Sequence, residues 1–344
     1  MNILIVKLSA IGDVVHTLPF LESLRKRFPG ATIDWVVEEA SCHLVKGHPA
    51  VNRVIVSRRK YWKKNILNRN SSAILLNQIF NFIRELRSCR YDLVIDLQGL
   101  LKSGVLVGLS NGNRKIGISG SREGASFFLN EPPIPVNYEQ HAIDRNLKAA
   151  EFLGCDVTEW AGRIPVSEAD RESIDWILES DSIDNKPLIA INPMAKWPTK
   201  LWSPERFAVL ADRIRDKLGC EIVFTGSRRD RPVTRRIAGM MTRSPLDLSG
   251  RTSLKELAYL YTRCRLLVTT DTGPMHMAAA MGCPVVALFG PTAPWRTGPY
   301  GKGHKVVRAD AECSPCFKKR CRHMTCMKEI GVDQVFEGVR EVMH

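Results

Sequence analysis

No apolar run in this sequence reaches the ~18 residues that a membrane-spanning helix needs. The first residues are not expected to be a secretory leader: in MNILIVKLSAIGD, Lys7 interrupts the apolar run and Asp13 follows it. The chain is therefore expected in the cytoplasm. The G-x-G-x-x-G fingerprint is absent, Gly12 being the only glycine in the first loop, which argues against a dinucleotide-binding dehydrogenase. There is no internal repeat and no low-complexity tract, so solenoid and compositionally disordered classes fall away. Acidic residues are the minority, 36 against 50 Lys and Arg, leaving a net charge of +14. Such a surface attracts polyanions: nucleic acid, an acidic membrane face or phosphorylated substrates.

At 344 residues, 44% hydrophobic and 25% charged, the chain has the composition of a soluble protein and the length of two domains. Ten cysteines in a cytoplasmic chain are reduced thiols or metal ligands rather than disulfides. Six are scattered and read as small core residues. The other four, Cys313, Cys316, Cys321 and Cys326, cluster near the end.

Residues 3–8 read as a buried strand with an exit loop at 9–13. Val14, Val15, Leu18, Leu21, Leu24 and Phe28 follow at helical spacing, with Pro19 requiring a kink or a late start. Asp13 thus falls at a strand's carboxyl end and a helix's N-terminus, where it reads as a cap or as a functional carboxylate. Further strands are expected at 33–37, 53–56, 91–96 and 115–118. The run RRKYWKK at 58–64 would ordinarily be a solvated face, but Tyr61 and Trp62 are out of place on one. The polar stretch SDSIDNK at 180–186 reads as a linker. Beyond it the alternation restarts, with strands at 188–192 and 221–225. Two βα runs so divided predict an α/β protein of two Rossmann-like halves facing a cleft.

The most informative stretch is 266–291, LLVTTDTGPMHMAAAMGCPVVALFGP. A buried strand, the polar turn Asp271-Thr272-Gly273, a helix begun by Pro274 and ended by Gly282, and a second strand follow one another. This places backbone N–H groups at a helix N-terminus beyond a parallel strand, where open α/β sheets bind phosphorylated ligands. An ordinary βαβ crossover has the same spacing. Asp271 and His276, polar residues flanking the helix start in an otherwise apolar unit, favour the functional reading.

Several stretches together, VKLSAIGDVVHTLP, DWVVEE, YDLVIDLQGLLKS, TKLWSPERF and DTGPMHMAAAMGCPVVALFGPTAPWRTGPYG, resemble the bacterial ADP-heptose:lipopolysaccharide heptosyltransferases, glycosyltransferase family 9. DWVVEE, the run at 58–64 and DLQGLLKS look most like heptosyltransferase I. The resemblance implies a GT-B fold: an acceptor-binding domain at 1–180, a nucleotide-sugar domain at 181–331, and a last helix at 332–344 packing back on the first domain. It implies inverting transfer of a heptose from ADP-heptose to Kdo-lipid A. In that chemistry Asp13 is the general base, and Lys200 with the N–H groups of Thr272 and Gly273 stabilises the leaving diphosphate. Ala195, Lys196, Asp271 and His276 match donor-pocket positions. Arg58, Arg59, Lys60, Lys63, Lys64 and Arg122 fall where the family meets its acidic acceptor. No D-x-D sequence occurs, so no metal is expected in catalysis. The protein is expected to be a monomer without nucleic-acid partners, on the cytoplasmic face of the inner membrane.

The C-x₂-C-x₄-C-x₄-C cluster departs from the first-heptose pattern and is similar to the tail of many second-heptose relatives. It reads as a structural zinc site or as unligated thiols. Heptosyltransferase II and, from another class, a sugar-nucleotide epimerase are the alternatives. An epimerase would have no use for the run at 58–64, and a nucleic-acid-binding protein none for the turn at 271–276.

Overall fold

The computed structural model describes residues 1–65, 72–183 and 186–343. They fall into two compact units, Met1–Pro165 and Val166–His344. In the first, β1 (Asn2–Val6), β2 (Thr32–Glu38), β3 (Arg53–Ser57), β4 (Tyr91–Asp96) and β5 (Gly112–Gly117) form a parallel sheet in the order β3-β2-β1-β4-β5. The central strands are continuous apolar runs because helices cover both faces. Its helices are α1 (Ile11–Val15), α2 (Leu18–Arg27), α3 (Arg59–Asn65), α4 (Ser72–Leu86), α5 (Leu101–Leu109) and α6 (Ala142–Phe152). Pro19 is accommodated by a late start, in the first turn of α2. A packed cluster joins Phe82 and Leu86 of α4 with Leu106 and Val107 of α5 over Leu4, Val36 and Val94 of the sheet. The basic run at 58–64 is mostly helix α3, and Trp62, out of place on a solvated face, packs edge-on against Phe82 with centroids 5.2 Å apart.

The second unit holds β6 (Leu188–Asn192), β7 (Glu221–Phe224), β8 (Leu246–Asp247), β9 (Leu266–Thr270), β10 (Val285–Leu288) and β11 (Lys305–Val307), parallel in the order β11-β10-β9-β6-β7-β8. Around them lie α7 (Glu168–Ser180), α8 (Pro204–Leu218), α9 (Arg231–Ala238), α10 (Leu254–Arg263), α11 (Gly273–Ala280), α12 (Pro294–Thr297), α13 (Thr325–Lys328) and α14 (Val332–Met343). In each sheet the chain leaves its first strand on one side and returns on the other. The switch points are β1/β4 and β6/β9, where open α/β sheets hold ligands beyond the strand ends.

One expectation about organisation is corrected. The division lies between Pro165 and Val166, not at 180. Helix α7 belongs to the second unit, where Tyr259 and Ser173 bond to Asp175 and Glu256 across the α7–α10 contact (2.8 and 2.7 Å). The polar stretch at 180–186, of which 184 and 185 lie outside the described residues, is a connector within that unit. Within the second unit, helix α14 packs on α8, β9, β10 and β11. Val335, Phe336 and Val339 supply its apolar stripe, and Gly338 lets the backbone approach, since a Cβ there would lie 3.3 Å from Val307.

Candidate active site

At the β6/β9 switch point, Asp271 leaves the end of β9 and is buried. Its Oδ2 accepts hydrogen bonds from Lys200 Nζ at 2.5 Å and Thr292 Oγ1 at 2.6 Å. Lys200 comes from the loop after β6, where Pro198–Lys200 form one 3-10 turn, and its ammonium also lies 4.6 Å from the centroid of Trp197. Thr270 Oγ1 donates to Met194 O at 2.9 Å and so ties the two loops together. Thr272, in extended backbone, caps α11 without a side-chain hydrogen bond, and Pro274 stands in the first turn. The first-turn amides of a helix have no acceptor within it and carry the positive end of its dipole. His276 is buried in that first turn, Ala195 is half-buried in the β6 loop and Lys196 is exposed. The structure thus brings Lys200, Asp271, Thr272 and Gly273 together. It adds Thr292, which lies beyond β10 and had no local signal to select it.

At the β1/β4 switch point, Asp13 is half-buried in α1 and its Oδ2 accepts from Ala10 N at 2.7 Å. It stands three residues inside the helix, so it bonds back to the entry and is not the N-cap itself. The loop after β4 supports it from below: Gln98 Oε1 accepts from the amides of Leu8 and Ser9 (3.2 and 3.0 Å). Asp96 in turn accepts from the amides of Gln98 and Gly99 and from Ser103 Oγ, and its carboxyl is raised by burial against those bonds. Lys7 is buried and donates to Leu97 O at 2.5 Å. Burial lowers its pKa, while Asp13 and Asp96 oppose the shift.

The expected acceptor cations separate into two sets. Arg59 and Lys60 turn inward to the carboxylate of Glu38, 3% exposed at the end of β2, at 3.0 and 2.7 Å. Lys102 reaches the same carboxylate at 3.5 Å while donating to Ser9 Oγ at 2.5 Å. Burial would raise the pKa of Glu38, but the bonds from Lys60 and Arg59 and the nearby Lys102 charge outweigh it and hold the group below its ordinary range. Arg58 pairs with Glu39 at 2.9 Å on the surface. Lys63 and Lys64 carry no ion pair among the described residues and are exposed. Arg122 is exposed in a loop whose amide donates to Gly99 O at 2.9 Å, which brings it to the β4 exit. Glu38 is the member the sequence reading did not select; its signal was a carboxylate closing the apolar strand in DWVVEE.

The four terminal cysteines lie near one another, and burial first, then the nearby Cys313, Cys316 and Cys321, raise the pKa of the Cys326 thiol. Cys326 is buried in the core beside Gly290, Cys313 and Cys321 are exposed, and Cys316 is intermediate. Among the described residues no group of three or more His, Cys, Asp or Glu side chains is placed to hold a metal.

Two parallel, doubly wound units with this second-unit turn are the fold of the GT-B glycosyltransferases. The model of glycosyltransferase family 9 (heptosyltransferase) matches residues 79–327, and the chain belongs to that family. It is 33% identical to lipopolysaccharide heptosyltransferase 1 of Pseudomonas aeruginosa over 94% of this chain and 88% of that protein. It is 28% identical to lipopolysaccharide heptosyltransferase 2 of Salmonella typhimurium over 90% of this chain and 88% of that protein. The solved structure of Escherichia coli heptosyltransferase WaaC with ADP superposes with a TM-score of 0.78 at 28% identity, covering 99% of this chain and all of that one.

Proposed function

We propose that the chain transfers L-glycero-D-manno-heptose from ADP-heptose to the Kdo of Kdo-lipid A, adding the first heptose of the lipopolysaccharide inner core. The observation that carries this reading is the junction of Lys200, Asp271 and the α11 N-terminus at one switch point, which supplies positive charge and free amides for a diphosphate. An ammonium has three donors. Asp271 engages one and aims the others, so Lys200 meets the diphosphate already oriented. Ala195, Lys196 and His276 line the donor side. The greater likeness to heptosyltransferase 1 than to heptosyltransferase 2 supports the first transfer over the second.

In the displacement, an acceptor hydroxyl attacks the anomeric carbon, its proton passes to Asp13, and the bond from that carbon to the diphosphate oxygen breaks, releasing ADP. Negative charge builds on the diphosphate as it leaves, where Lys200 and the amides of Thr272 and Gly273 replace a metal ion. Arg59, Lys60 and Lys102 around one Glu38 leave local positive charge for the acceptor's carboxylates, with Arg58, Lys63, Lys64 and Arg122 outside them. The protein works as a peripheral monomer on the cytoplasmic face of the inner membrane, with no cofactor and no nucleic-acid partner.

The test offers ADP-heptose with Kdo-lipid A and, separately, with heptosyl-Kdo-lipid A, both in EDTA. Extension of the first alone supports the reading, and Asp13→Asn should lower kcat on the order of 10²-fold or more with donor affinity kept. Extension of the second alone, or a requirement for Mg²⁺, overturns it.

A further inference from the structure

Helix α4 buries Leu75, Phe82 and Leu86 and leaves large apolar groups on the side away from the sheet. Ile74 is 66% exposed, Leu76 65% and Phe80 63%. Leu76 and Phe80 are one turn apart and share a stripe that continues to the exposed Arg84. Helix α5, packed on the same face of the sheet through Leu106 and Val107, turns Leu101 and Val105 outward at the same four-residue spacing. Single exposed leucines need no explanation; two neighbouring helices with outward apolar stripes do.

What covers these stripes is indicated by the charge beside them. Helix α3 packs on α4 through Trp62, whose Nε1 donates to Gln78 Oε1 at 3.3 Å. It carries Tyr61, Lys63 and Lys64 outward. Arg58, Arg59 and Lys60 are satisfied by Glu39 and Glu38, but Lys63 and Lys64 meet no carboxylate among the described residues. Apolar stripes next to such cations complement an anionic lipid surface. A second protein copy would bring the same cations against themselves.

We infer that the outer face of α3, α4 and α5 is the surface by which this chain docks on an anionic bilayer, with Leu76, Phe80 and Tyr61 entering the headgroup boundary and Lys63 and Lys64 on lipid phosphates. This deepens the proposed function by naming the face through which a lipid-linked acceptor is approached. Its test contains neither donor nor acceptor, so the two readings fail separately.

Purified full-length protein is floated with vesicles of phosphatidylcholine alone and of phosphatidylcholine with a quarter phosphatidylglycerol. Binding to the anionic vesicles only, weakened by salt, is expected. Removing two apolar anchors costs roughly tenfold each in partition. Leu76→Asn/Phe80→Asn should therefore lose on the order of 100-fold, and Lys63→Gln/Lys64→Gln about tenfold or more. Trp176→Asn, which removes an exposed aromatic in the second unit, should partition as the parent does. Far-ultraviolet circular dichroism and thermal melts confirm that each variant is folded. The inference is overturned if the parent ignores anionic vesicles or binds neutral ones equally. It is also overturned if the anchor variants partition normally, or if the parent sediments as a dimer that Leu76→Asn/Phe80→Asn dissociates.

Discussion

Glu38→Gln keeps the shape of a buried side chain and removes the charge on which Arg59, Lys60 and Lys102 converge at 3.0, 2.7 and 3.5 Å. Stripping one partner from a fully buried pair costs roughly 3–5 kcal/mol. That range must be discounted here, because Arg59 and Lys60 are 40% and 64% exposed and can turn to water. Lys102, 18% exposed and bonded to Ser9, cannot. One stranded ammonium with two like charges nearby puts the expected loss at about 2 kcal/mol, read as a shift of the urea midpoint without a change in slope.

The identity of the stranded group can be checked by pH. Burial already lowers the pKa of Lys102, Arg59 and Lys60 add to this, and Glu38 opposes it. Without Glu38 the folded-state value falls further below that of the unfolded chain. Between those two values the unfolded state binds more protons, so the variant's stability rises with pH there. The deficit against the parent should therefore shrink on going from neutral pH towards pH 10. Circular dichroism melts in urea across that range measure it. A deficit that is constant with pH, or absent at neutral pH, would refute the placement of Lys102 on Glu38 and return Arg59 and Lys60 to the solvent.

Lys200→Met should strand the Asp271 carboxylate with Thr292 as its remaining partner, costing about 3 kcal/mol of stability and lowering kcat by roughly 10²–10³-fold. Lys200→Met/Asp271→Asn should recover the stability in a urea melt but not the turnover, and recovery of both would make Lys200 a structural residue. His304 Nδ1 accepts from Val285 N at 3.1 Å and its other ring nitrogen faces Tyr300 O at 3.1 Å, which fixes the neutral ring, and burial lowers its pKa. The unfolded chain then takes up the proton first, so stability should fall as pH drops below about 6.5. His304→Gln should flatten that slope in melts between pH 7 and 5.

The strands at 91–96, 188–192 and 266–270 were legible because a parallel sheet covered on both faces needs continuous apolar runs, and few other structures do. The helix after Asp271 was legible from Pro274 and Gly282, since its start and stop depend on backbone preferences read locally. Pairings between distant segments were not. RRKYWKK looked like a surface because its counter-charge, Glu38, sits some twenty residues earlier at the end of another strand. Helix α14 shows a related point: its stripe of Val335, Phe336 and Val339 fits any apolar surface, and nothing in its own residues says which. Its choice is made by contacts elsewhere, where Trp202 Nε1 donates to Ile330 O at 2.9 Å and Arg213 lies 4.4 Å from the centroid of Phe336. A polar connector likewise looks the same between domains as within one, which moved the boundary from Pro165 to the stretch at 180–186.

The two switch points share a device. In each, a buried carboxylate at a strand end, Glu38 closing β2 and Asp271 following β9, holds a lysine from a different segment, Lys102 in the first turn of α5 and Lys200 in the β6 loop. A free lysine side chain would have to give up on the order of 1.5–2 kcal/mol of rotamer entropy to meet an anion. Here that ordering accompanies folding, and the carboxylate fixes the ammonium with donors still unused. Lys102 has Ser9 Oγ as a further partner at 2.5 Å and Lys200 has the Trp197 ring, so neither depends on substrate to stay in place. The arrangement leaves each carboxylate stabilising its lysine in the free protein, where the chain's net positive charge would otherwise repel it. An anionic ligand then meets positive charge that is already positioned, which is the condition for stabilising charge that develops during a reaction.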